Sequence, residues 1–186
     1  MEGLRTIKYQ TDFGEGMLFW RGEELVAHTL PGMARDKRFD HATPAIRPIN
    51  AVHAQKMDRN YADASTATES QTRYINLLES YFAGEAVEFP LSNVPLESIF
   101  RTPFQLSVIK KLTGVAYGQT VSYGGLAAAA GYPRAHRAVG NLMAANPLPL
   151  IVPCHRVLRG DGSLGRFSAG GEWKIRLLEL EGSSFA

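Results

Sequence analysis

A single cysteine, Cys154, stands in the 186 residues, which excludes an intramolecular disulfide and any multi-thiolate metal site. No apolar run approaches the roughly 18 residues that a membrane-spanning helix needs, so no membrane association is expected. The opening residues Met1-Glu2-Gly3-Leu4-Arg5-Thr6 lack an apolar stretch and a small-residue cleavage pattern, and no secretory leader is expected. Histidine is scarce as well. His28, His41, His53 and His136 are scattered without ligand spacing and read as surface residues, so neither a metal nor a cofactor is expected. These absences fit a compartment where a lone thiol stays reduced, the cytoplasm or, in a eukaryote, the nucleus.

What remains is the balance of an ordinary globular chain, with 45% hydrophobic and 20% charged residues, enough for one domain or two small ones. The net charge of +2 conceals a split. Residues 1–100 carry 10 Lys/Arg against 14 Asp/Glu, whereas residues 101–186 carry 10 against 4. A basic C-terminal half points to a polyanion such as nucleic acid; chance placement of surface charge is the other reading.

Hydrophobic patterning predicts an α/β fold. Short strands are expected at 6–11, 17–20 and 24–30, with turns at Gly14-Glu15-Gly16 and Arg21-Gly22-Glu23, forming a small antiparallel sheet. Residues 31 to about 66 show no period and read as a long loop. Tyr74, Ile75, Leu77, Leu78, Tyr81 and Phe82 recur at helical spacing within 70–83, and Gly84 ends that helix. The proline-flanked stretch 90–95 marks a boundary. The chain therefore reads as an N-terminal α/β domain over 1–92 and a mostly helical C-terminal domain over 93–186.

The second domain opens on Thr102-Pro103, a cap followed by proline at the first helical position. A helix over 123–130, capped by Ser122, and another over 134–145 are joined by a turn containing Gly131 and Pro133. The pair matches a helix-turn-helix outline, with Arg134 and Arg137 on the exposed face of its second member. The apolar run Leu148 to Val152 reads as a buried extended segment. A final helix over 172–181 is expected to bury Trp173, Ile175, Leu177, Leu178 and Leu180.

Two motifs compete for the chemistry. Gly160-Asp161-Gly162-Ser163-Leu164-Gly165 fits the dinucleotide-binding pattern G-x-G-x-x-G, but no helix begins at its last glycine, so it reads as a glycine-rich turn. Cys154 lies beside His155 and Arg156 after the buried run. A thiol becomes a nucleophile only as thiolate, which needs a base or a cation nearby. On an extended segment neighbouring side chains point oppositely, so His155 reaches Cys154 only where the backbone turns or through a water. A lone buried cysteine with no chemistry is the alternative.

Pro153-Cys154-His155-Arg156-Val157 resembles the active-site motif of the O6-alkylguanine-DNA alkyltransferases. The likeness runs over about 102–182 through Thr102-Pro103-Phe104-Gln105, Gly118-Gln119-Thr120-Val121-Ser122-Tyr123, Arg137-Ala138-Val139-Gly140, Asn146-Pro147, Leu177-Leu178 and Glu181-Gly182. Residues 1–100 resemble the family's ribonuclease H-like N-terminal domain only in pattern. Non-repairing relatives carry tryptophan at the cysteine position, so Cys154 implies the repairing branch.

The resemblance implies a monomer that binds double-stranded DNA containing O6-alkylguanine through the minor groove and needs no cofactor. It moves the alkyl group irreversibly to its own cysteine in a single turnover. Cys154 would be nucleophile and acceptor, His155 its base through a water, Glu181 the orienter of the imidazole, and Tyr123 the proton donor to guanine N3. Arg137 would fill the gap left by the flipped base, with Arg134, Ala135, Ala138 and Gly140 at the groove. Carbonyls near Cys154 and Val157 would read the guanine amino group. Phe167, Ser168 and Ala169 would line the alkyl pocket, and Asn146 would support it from behind. Phe167 and Ala169 depart from the tyrosine and glycine common in the family, which bears on the range of alkyl groups. A helix-turn-helix binder without catalysis and a cysteine hydrolase using Cys154, His155 and Glu181 are the competing functions.

Overall fold

The computed structural model describes residues 3–33, 61–62 and 66–186. The chain divides into two compact units, Met1–Pro95 and Leu96–Ala186. No described helix is long and apolar enough to cross a membrane.

In the first unit, β1 (Leu4–Thr11), β2 (Gly14–Arg21) and β3 (Glu24–Thr29) form an antiparallel meander. The expected strands are present, but the first turn falls at Asp12-Phe13, and Gly14 to Gly16 lie inside β2. The reason is packing. Gly16 faces Tyr9 across the ladder, and the Tyr9 ring occupies the space that a Cβ on Gly16 would need. That glycine makes room for a ring and does not turn the chain. A short β4 (Tyr61–Ala62) pairs in parallel with Thr6 and Ile7 of β1. It lies within the stretch expected to be loop, of which residues 34–60 and 63–65 fall outside the described residues.

Helix α1 (Glu69–Phe82) begins at Thr68, whose hydroxyl accepts from Gln71 N while Thr68 N donates to Gln71 Oε1. This reciprocal capping box fixes the start. Its apolar stripe, Tyr74, Ile75, Leu78, Tyr81 and Phe82, is buried with Ile7, Leu18, Trp20 and Leu25 of the sheet. Trp20 meets Tyr74 edge-on at 5.5 Å. His28, expected at the surface, is buried here and shares a 2.8 Å hydrogen bond with the Tyr9 hydroxyl.

The second unit starts with the single turn α2 (Leu96–Ile99), which no periodic pattern announces. Helix α3 (Pro103–Leu112) has the expected Thr102 cap, reinforced by Gln105. Helix α4 (Tyr123–Ala129), capped by Ser122, is followed by a turn and α5 (His136–Ala144). Arg134 lies in that turn and not on the helix, which starts at His136 after Ala135 as its N-cap.

The parallel pair β5 (Val121–Ser122) and β6 (Val157–Leu158) is too short to leave a sequence signal, yet it joins the start of α4 to the segment after Cys154. Leu148 to Val152 is not extended. It turns, closed by Val152 N donating to Leu148 O at 2.9 Å, with Leu150 in the left-handed region at φ 74°. Helix α6 (Gly171–Leu180) buries Lys174, Leu177 and Leu178, whereas Trp173, Ile175 and Leu180 are half-buried. The buried face is rotated from expectation because Lys174 is an interior residue.

Candidate active site

Cys154, His155 and Arg156 form one 3₁₀ turn. That turn overcomes the alternation of an extended chain and lets consecutive side chains serve one site. Cys154 and His155 are completely buried. The Cys154 sulfur takes a hydrogen bond from Asn146 Nδ2 at 3.0 Å, and the same Nδ2 donates to Val152 O at 2.9 Å. Asn146 Oδ1 accepts from Leu148 N at 3.1 Å. Asn146 therefore braces the turn and also touches the sulfur.

His155 Nε2 lies 2.8 Å from Glu181 Oε1. Its Nδ1 is buried and has no hydrogen-bond partner among the described residues. Burial lowers the His155 pKa, against the opposing pull of Glu181, so the ring is neutral. With the carboxylate accepting at Nε2, the proton sits there and the lone pair is on Nδ1.

Arg156 forks onto Glu181 through Nε at 2.9 Å from Oε2 and Nη2 at 2.8 Å from Oε1, and donates through Nη1 to Val115 O at 2.6 Å. Gly118 N adds a bond to Oε2 at 3.1 Å. Gly118 is at φ 75°, and a Cβ there would lie 3.0 Å from Glu181 O, so only glycine brings that N–H so close. Burial pushes the Glu181 carboxyl up, but the bonds and charges of His155 and Arg156 prevail and hold it at about 2.

Lys174 is the charged residue that sequence reading missed, since it sits in the apolar register of α6. It is fully buried, and Nζ donates to Val157 O at 2.6 Å and to Leu164 O. Burial pulls its pKa down to about 8, opposed by the sulfur of Cys154. Burial likewise pushes the Cys154 thiol up to about 11, with Asn146 and Lys174 acting the other way. At rest the site pairs a neutral thiol with a neutral imidazole.

A cleft of about 730 Å³ is lined by Tyr123, Arg137, Gly140 and Asn141, and by Arg159 and Arg166. The Tyr123 hydroxyl donates to Arg166 O at 3.0 Å. Arg134, Arg137 and Ala138 are exposed, and Ala135 and Gly140 are half-buried. Val157 is buried, and its carbonyl is engaged by Lys174. Phe167, Ser168 and Ala169 lie in the turn before α6, closed by Gly170 N donating to Phe167 O at 3.1 Å; Phe167 is buried and the other two are half-buried. No group of three or more His, Cys, Asp or Glu that would hold a metal occurs among the described residues.

Residues 103–183 match the family model of the 6-O-methylguanine DNA methyltransferase DNA binding domain. The chain superposes on the crystal structure of Mycobacterium tuberculosis OGT in complex with DNA with a TM-score of 0.70 and 30% identity, covering 96% of this chain and 93% of that one. The chain belongs to the O6-methylguanine-DNA methyltransferase family. A mouse methylated-DNA–protein-cysteine methyltransferase is 44% identical over 101 residues, 51% of this chain and 46% of the relative. The Methanosarcina acetivorans protein of the same name is 44% identical over 106 residues, 57% and 65% of the respective chains. The chain thus spans about half to two thirds of the length of these curated methyltransferases. The family match contains every candidate residue from Tyr123 to Glu181.

Proposed function

We propose that this protein repairs DNA by transferring the alkyl group of O6-alkylguanine, chiefly methyl, to Cys154. The observation that carries the reading is the buried relay in which Glu181, locked by Arg156, orients a neutral His155 whose free Nδ1 belongs to the same turn as the Cys154 sulfur. This is nucleophile, base and orienter logic.

The thiol proton passes to His155 Nδ1 through a water, and the sulfur lone pair attacks the alkyl carbon. An S–C bond forms as the O6–C bond breaks, and that electron pair stays on the guanine. The guanine is neutralised by a proton at N3 from Tyr123, whose hydroxyl must leave Arg166 O to make this contact; the proton on His155 restores Tyr123. The products are unmodified guanine and a thioether, which has no hydrolysable bond, so each molecule acts once. Lys174 favours the thiolate as it forms. The Val157 carbonyl has a second lone pair for the guanine amino group, and Phe167, Ser168 and Ala169 line the alkyl pocket.

Helices α4 and α5 act as a helix-turn-helix in the minor groove, with Arg137 entering the stack as the base flips out and Ala135, Ala138 and Gly140 allowing close approach. The protein works as a monomer on double-stranded DNA, in the cytoplasm or nucleus. The N-terminal unit, Met1–Pro95 where the sequence suggested 1–92, is the ribonuclease H-like domain of the family, and Leu96–Ala186 carries DNA binding and chemistry.

Intact mass after incubation with O6-methylguanine duplex tests the reading. Wild type should gain one methylene, stably, and Cys154→Ser should gain nothing while still binding the DNA. A wild type that binds without gaining mass would be a non-catalytic DNA binder. Repeated turnover of an ester would make it a hydrolase.

A further inference from the structure

The cleft beside Tyr123 is lined by three arginines, Arg137 from α5 and Arg159 and Arg166 from the two ends of a glycine-rich loop, and by no carboxylate among the described residues. Arg137 and Arg166 are exposed, and neither guanidinium has an ion-pair partner among the described residues. The Arg159 guanidinium donates to the Ser163 hydroxyl at 3.4 Å and forms no ion pair among the described residues. The acid of that loop, Asp161, directs its Oδ1 to Ser163 N and Oγ at 3.0 and 2.7 Å. Arg159 shares the field of Asp161, whereas Arg137 and Arg166 have no counter-charge among the described residues.

The loop is also held. Lys174 Nζ grips Leu164 O, and the Tyr123 hydroxyl grips Arg166 O. Between them Gly165, at φ 66°, presses its backbone on the Tyr123 ring so closely that a Cβ would stand 2.7 Å from it. A backbone fixed on both sides of Gly165 presents Arg166 with little ordering left to do on binding.

We propose that Arg166, assisted by Arg159, is a phosphate grip for the DNA strand that carries the lesion, separate from the base-flipping role given to Arg137. The proposal rests on the DNA-repair reading above. A planar guanidinium pairs with phosphate oxygens through two parallel N–H donors, and phosphate contacts fix register without reading sequence. That suits a protein that must accept any neighbours around a damaged guanine. Tyr123 holds Arg166 O before reaction, and Lys174 still holds Leu164 O when the Tyr123 hydroxyl turns to guanine N3, so the residue that favours the thiolate also helps set where the phosphate is held.

The test is the affinity of the full chain for an unmodified DNA duplex between about 50 and 200 mM salt. Each phosphate neutralised contributes about 0.9 to the slope of log K against log salt. Arg166→Ala should lower the slope by about 0.9, and the double variant with Arg159→Ala by up to about 1.8. Arg166→Lys should keep most of the slope. Arg101→Ala removes the same charge from an exposed residue outside the cleft and should change it far less. The ratio of transfer rate on duplex to that on free O6-benzylguanine should also fall in Arg166→Ala. A slope in Arg166→Ala equal to that in Arg101→Ala, or an unchanged rate ratio, overturns the grip while leaving the repair reading intact. A wild type that neither binds duplex nor takes up the alkyl group overturns the repair reading itself.

Discussion

Glu181 receives His155 and Arg156 at the same oxygen, Oε1, each at 2.8 Å. One carboxylate thus orients the imidazole and neutralises a buried guanidinium, and its removal has two separable effects. Glu181→Gln should slow alkyl transfer on duplex and on free base alike, because the ring loses its anchor. It should also destabilise the fold by about 3–5 kcal/mol, since Arg156 is left buried without its counter-charge. Single-turnover rates below the melting temperature and urea midpoints separate the two; an unchanged rate in a folded variant removes Glu181 from the mechanism.

The same carboxylate sets an acid limb. Its pKa falls from 4.5 to about 2 on folding, so its stabilisation is complete above about 4.5 and is lost as pH drops towards 2. The full effect is about 3 kcal/mol. Urea midpoints measured from about pH 5 to pH 2.5 should fall steeply in wild type and less in Glu181→Gln; parallel curves would show that other carboxylates dominate.

Asn146 holds Val152 O, Leu148 N and the sulfur at once. Asn146→Ala should lose about 1–3 kcal/mol, because Leu148 N is left buried without its acceptor, whereas Val152 O keeps the bond from Cys154 N. Asn146→Asp keeps the acceptor for Leu148 N but sets an anion beside the thiol, so transfer should slow more than stability falls. Comparable losses in both quantities would reduce Asn146 to a brace.

Lys174→Met should cost stability through two orphaned carbonyls and move the rising limb of the pH–rate profile to higher pH, because the cation opposing the high thiol pKa is gone. A profile that only scales down would assign Lys174 to structure alone.

Ala169 carries a methyl where the family commonly has none. If it faces the alkyl group, overpacking of about 1–3 kcal/mol means roughly 5- to 150-fold slower reaction of bulky substrates. The ratio of O6-benzylguanine to O6-methylguanine inactivation rates should rise in Ala169→Gly; a constant ratio places Ala169 away from the pocket.

Features governed by local chemistry were legible in the chain. Thr102-Pro103 starts α3, and the alternation around Tyr9 and Leu18 marks strands of the sheet. The Cys154–His155 pair was legible as a motif, but the turn that makes it workable was not, because Leu148 to Val152 is as apolar as a strand and folds back under the grip of Asn146. Lys174 was hidden for the opposite reason. A lysine in a helix reads as solvated, and only the carbonyls of Val157 and Leu164, brought in by the fold, make its burial tolerable. Arg156 appeared as one flank of the cysteine, and its fork onto Glu181 depends on a residue 25 positions away.

On the proposed reading Cys154 is used only once, so it must not be spoiled in storage. The Cys154 sulfur has no solvent exposure and its thiol is held at about 11, so almost none of it is thiolate at neutral pH, and thiolate is the form that peroxide, disulfides and stray electrophiles attack. The enclosure works as packaging for the molecule's single reactive charge. Mixed-disulfide formation with glutathione should be slow until the fold opens, and the working lifetime of each copy in a cell is then governed by how often this turn unfolds.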